Sequence, residues 1–72
     1  MFDYTFYPKH YYTVAAENLN IKATTFTSRE AANNYMYKVM GKYGLHLDHV
    51  YDDRHYKTYI FDNGVRIHIN RE

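Results

Sequence analysis

The sequence predicts an α+β domain in which an antiparallel sheet packs on a single amphipathic helix. Three observations point there. Several runs rich in Tyr, Thr, Val and Ile alternate with period two, one central stretch has three- and four-residue apolar spacing behind a capping signal, and an Asn-Gly pair separates two β-patterned runs near the end. The expected order is β-β-β-α-β-β-β in two layers, with residues 1–72 forming one domain.

Phe2-Asp3-Tyr4-Thr5-Phe6-Tyr7 alternates aromatic and polar residues and then meets Pro8, so it reads as a first strand ended by proline. Residues 10–16 carry two signals. Tyr11, Ala15 and Leu19 have helical spacing after a proline, whereas Tyr11-Tyr12-Thr13-Val14 favours extension. A strand is the preferred reading, turning at Glu17-Asn18-Leu19-Asn20 and returning through Ile21 to Phe26. Thr27 and Glu30 then match a T-x-x-E capping box, in which each side chain satisfies the other's free backbone N–H. Ala32, Tyr35, Met36, Val39 and Tyr43 make one apolar stripe, and Lys38 and Lys42 suit the negative end of the helix dipole. Gly44 followed by Leu45 reads as a left-handed C-cap with its hydrophobic contact, which places the helix at residues 28–43. Leu45 to Tyr51 resumes strand patterning, and Asp52-Asp53-Arg54 makes a turn.

The last hairpin decides which residues are expected at a functional surface. Asn63-Gly64 is a preferred type I′ pair, and a two-residue loop puts Asp62 opposite Val65, Ile60 opposite Ile67 and Tyr59 opposite His68. Tyr56, Thr58, Ile60, Val65, Ile67 and Ile69 then face the helix. Lys57, Tyr59, Phe61, Arg66, His68 and Asn70 face away, as a mixed aromatic and basic surface. Tyr and Arg are typical interface anchors, so these six are the expected partner-binding residues. The same composition also suits single-stranded nucleic acid, whose bases stack on sheet aromatics while Lys and Arg take phosphates.

Composition narrows the chemistry. Ten of the 72 residues are Tyr and none is Cys, which removes disulfides, thiol catalysis and Cys-ligated zinc. A domain of this length buries only about 60% of its unfolded surface, and tyrosine supplies much of its apolar fraction, so a homodimer is a natural way to complete the core. The nine Lys and Arg nearly balance eight Asp and Glu, which disfavours both a polyanionic mimic of DNA and a basic nucleic-acid arm. No apolar run reaches the roughly 20 residues of a membrane span, and the start lacks a signal peptide's layout; the chain reads as cytoplasmic.

Two constellations bear on chemistry. His46, His49, Asp52, Asp53 and His55 are suitable metal ligands by type, but His46 and His49 are three apart on a strand and so point to opposite faces. Solvated turn residues are the expected reading, with no metal and no cofactor. Ser28 is the one serine and falls at the helix start, and no glycine-rich phosphate loop exists, so no catalytic residues are expected.

The richness in Phe, Tyr, Met, Ile, Asn and Lys matches AT-rich codons, as in a low-GC genome or its phage. The stretches Thr25-Phe26-Thr27-Ser28-Arg29-Glu30-Ala31, Tyr43-Gly44-Leu45, His55-Tyr56-Lys57-Thr58-Tyr59 and Asn63-Gly64-Val65-Arg66 resemble small accessory proteins of phages and mobile elements in low-GC bacteria. That resemblance implies a compact inhibitor, of the anti-CRISPR or wider anti-defence kind, that binds a host protein or nucleoprotein complex in the bacterial cytoplasm. It carries no functional motif over.

Overall fold

The structure is a computed structural model and describes residues 10–71. It contains β1 (Tyr12–Glu17), β2 (Thr24–Phe26), α1 (Arg29–Tyr43), β3 (Leu47–Asp52), β4 (Tyr56–Phe61) and β5 (Arg66–Arg71). The five strands form one antiparallel sheet in the order β2-β1-β5-β4-β3, so the α+β prediction holds. The strand expected at Phe2–Tyr7 lies outside the described residues. Residues 12–17 take the extended alternative, and β1 turns back into β2 as expected. Asn18 sits in the turn at φ 63, a left-handed conformation that Asn tolerates better than most residues. Its side-chain amide donates to the Gly64 carbonyl at 2.9 Å, tying this turn to the distant β4–β5 loop.

The helix forms where the apolar stripe predicts, with one correction at its start. Ser28, not Thr27, is the N-cap: its backbone is extended and its Oγ accepts the Ala31 N–H at 3.1 Å. The expected reciprocal box with Glu30 is therefore absent. Phe26 is still paired with Tyr12 in the sheet, and its ring packs 5.3 Å from Tyr35. The chain then spends two residues leaving the sheet edge, so the cap falls on the second. At the other end Gly44 takes φ 63, and the N–H groups of Gly44 and Leu45 both reach the Met40 carbonyl. That is the predicted left-handed cap, and Leu45 is buried beneath it.

The β4–β5 loop departs from the expected type I′ turn. A type I′ turn needs positive φ at both central residues, yet among the described residues of this loop only Gly64 has it, at φ 89. The loop instead has three residues, 62–64. Gly64 N–H donates to the Phe61 carbonyl at 3.1 Å, Phe61 N–H donates to the Val65 carbonyl at 2.9 Å, and Val65 N–H donates to Asn63 Oδ1 at 3.1 Å. This is a type I turn followed by a left-handed glycine. Its extra residue slips the register by one: Ile60 pairs with Arg66, Tyr59 with Ile67, Thr58 with His68 and Lys57 with Ile69.

A one-residue slip turns β4 over relative to β5. Tyr59 and Phe61 join Val65, Ile67, Ile69 and Val14 in the core beneath Ala32, Met36 and Val39. Tyr56, Thr58 and Ile60 go to the outer face. The exchange brings Lys57, Tyr59 and Phe61 to the helix side in place of Tyr56, Thr58 and Ile60, and it encloses the Tyr59 and Phe61 rings, each of which buries roughly 150–250 Å².

Candidate functional site

The register and the alternation of side chains assign the face opposite the helix. Glu17, Arg66, Ile60 and His49 form one cross-strand row, Ala15, His68, Thr58 and Tyr51 the next, and Thr13, Asn70 and Tyr56 a third. Tyr51, Tyr56, Ile60, Arg66 and Asn70 line a shallow concavity on this face, with Thr58 and His68 at its floor. The Tyr51 and Tyr56 rings lie 6.2 Å apart at 30°.

Of the six residues expected here, Arg66, His68 and Asn70 are on this face. Tyr59 and Phe61 are not: they are 5% and 2% exposed and belong to the core, so neither can meet a partner without unfolding. Lys57 also lies on the helix side of the sheet, with its Nζ 5.4 Å from the centre of the Tyr59 ring. The slip in the β4–β5 loop is the physical reason for all three corrections. Tyr51 of β3 and Glu17 of β1 share this face, and Tyr56, Thr58 and Ile60 take the three places vacated on β4. The signal for them was present in the sequence, since Asp62-Asn63-Gly64 fits a three-residue loop ending on a left-handed glycine as well as Asn-Gly fits a two-residue one.

His68 is hydrogen-bonded through both ring nitrogens. Its Nε2 lies 2.9 Å from Glu17 Oε2 and its Nδ1 lies 2.9 Å from Thr58 Oγ1. Neutral His68 donates from Nε2 to the carboxylate and accepts the Thr58 hydroxyl at Nδ1. Protonated His68 donates from both nitrogens, and the hydroxyl oxygen accepts. Either state is satisfied, so the imidazole is held between Glu17 and Thr58. Thr58 is only 7% exposed, which encloses its hydroxyl and makes this chain of bonds a positioning network. Arg66 Nη1 lies 3.9 Å from Glu17 Oε1, a loose exposed pair of small energetic value.

The Tyr56 phenol is raised above its ordinary value of 10.0. Desolvation is the main cause, followed by the negative potential of Tyr51 and Asp53 and hydrogen bonds to both. Among the described residues no three His, Asp or Glu side chains converge as a metal cage, and His46, His49 and His55 are all exposed. No helix among the described residues is long and apolar enough to cross a membrane.

Neither protein-family models, nor curated proteins, nor solved structures match this chain.

Proposed function

We propose that this protein is a non-catalytic interaction protein that docks on another protein through the sheet face opposite its helix. The observation that supports this is the composition of that face: Tyr51, Tyr56, Ile60 and Arg66 are grouped around a shallow concavity, with His68 and Asn70 beside them. Tyrosine and arginine supply much of the energy in protein interfaces, because they combine large apolar contact with hydrogen-bonding tips. A bound surface would desolvate Tyr51 and Tyr56 while His68, already locked by Glu17 and Thr58, loses little further entropy on binding. The resemblance to phage and mobile-element proteins makes a host protein or nucleoprotein complex the natural target, with inhibition of a host defence as the outcome.

Single-stranded nucleic acid is the second reading for this face, and its charge speaks against it. Arg66 is the one Lys or Arg on the described part of the face, and Glu17 sits beside it. Phosphate binding depends on an excess of positive charge, which the face lacks.

The test is capture of partners from a low-GC bacterial lysate, with and without nuclease, using wild type, Tyr51→Ala and Arg66→Ala. Truncating a central anchor commonly costs about 2 kcal/mol or more, so each variant should bind its partner roughly thirtyfold more weakly with unchanged circular dichroism. A partner held equally well by both variants would move the interface elsewhere. A partner lost on nuclease treatment would favour nucleic acid.

A further inference from the structure

The helix side of the sheet carries a second feature, at the end where α1 begins. A cavity of about 100 Å³ opens between the first turn of α1, the end of β5 and the β3–β4 turn. Four of the nine Lys and Arg side chains of the chain line it: Arg29, Arg54, Lys57 and Arg71. Arg54 and Lys57 come from the β3–β4 turn and the start of β4, and the fold brings Arg29 of α1 and Arg71 of β5 to them. Among the described residues none of the four is in an ion pair.

Two carboxylates, Asp52 and Asp53, also line the cavity, which leaves a positive excess to which His55 adds when protonated. Asp53 is partly occupied, since it accepts the Arg54 backbone N–H and a hydrogen bond from Tyr56. The ring of Tyr12 lies under the Arg29 guanidinium, 6.0 Å from centroid to Cζ, and Tyr56 forms another wall. Cations gathered around a concavity repel one another, and an anion placed among them relieves that repulsion. Arginine forks match the oxygens of a phosphate, and the N-terminal turn of a helix adds a field of the same sign.

We infer that this cavity binds a phosphate group carried by a nucleotide or a nucleic-acid strand. The volume suits one phosphate and not an extended anion, and the aromatic walls offer stacking surface for the attached base. This site is separate from the outer-face concavity except at Tyr56, which borders both. It stands whether or not that face binds a protein.

The experiment is an NMR titration of the full chain with inorganic phosphate, adenosine 5′-monophosphate and adenosine. Phosphate and the nucleotide should shift the amides of Arg29, Arg54 and His55 saturably, with the nucleotide at least roughly tenfold tighter than adenosine. Arg29→Glu and Arg54→Glu should each weaken the nucleotide by roughly tenfold or more, and exposed Lys38→Glu by less than about twofold. Both site variants retain the fold, because Arg54 is exposed in a turn and an acidic residue at the helix start is favourable. A 5′-phosphorylated oligothymidylate compared with its unphosphorylated counterpart separates the two sources. A preference for the phosphorylated strand assigns a terminal phosphate; equal binding with a log-log salt slope near -0.7 per contact assigns the backbone. Shifts that do not saturate, equal loss in all three charge variants, or a phosphotyrosine peptide that binds more tightly than either nucleotide ligand would overturn the inference.

Discussion

The register of the β4–β5 hairpin is the hinge of the structure, and a pair of truncations tests it. In the three-residue loop Phe61 is 2% exposed, enclosed between the sheet and α1, whereas Ile60 is half-buried on the outer face. In the alternative two-residue loop their places are exchanged. Removing a fully enclosed phenylalanine ring loses its transfer free energy and leaves a cavity, which together cost about 3–5 kcal/mol. A domain of this size has a net stability of roughly 4–11 kcal/mol, so Phe61→Ala should remove a large share of it. At roughly 4–8 °C per kcal/mol, the melting temperature should fall by roughly 12 °C at least. Ile60→Ala loses only half-buried contact and should cost about 1 kcal/mol, well below Phe61→Ala. Urea unfolding followed by far-ultraviolet circular dichroism gives both values, since the chain has no Trp to report on itself. If Ile60→Ala proves more damaging than Phe61→Ala, the loop has two residues and the outer face described above is wrong.

Two further outcomes follow from local chemistry. Ser28→Ala should destabilise by about 1 kcal/mol in the same unfolding assay, and Thr27→Ala by much less, because only Ser28 caps a helix N–H; the reverse order would restore the capping box. Tyr56 should ionise above the ordinary 10.0, seen as the difference in tyrosinate absorbance between wild type and Tyr56→Phe. Because the folded value is the raised one, the associated stability is present below pH 10 and lost as pH rises through it. Asp53→Asn should lower the Tyr56 midpoint only in part, since desolvation and Tyr51 remain; no movement at all would remove Asp53 from its surroundings.

The amino-acid sequence by itself determined the elements of this protein wherever the signal was local. The helix and its stop at Gly44-Leu45 follow from residues within one or two turns and are found; of the stripe Ala32, Tyr35, Met36, Val39 and Tyr43, the structure buries Ala32, Met36 and Val39, half-buries Tyr35 and leaves Tyr43 exposed. Alternation likewise marked the strands and put Val65, Ile67 and Ile69 inside. What only the tertiary structure decided was how neighbouring strands register. Asp62-Asn63-Gly64 is compatible with two loop lengths, and the choice decides whether Tyr59 and Phe61 or Tyr56, Thr58 and Ile60 enter the core beneath α1. The Arg29, Arg54, Lys57 and Arg71 cluster was invisible for a related reason. Arg54 and Lys57 are three residues apart, but Arg29 and Arg71 come from distant segments, and charge has no periodicity that announces a meeting in space. Local propensity sets what each segment becomes, whereas the burial of rings from distant segments sets which residues end up sharing a face.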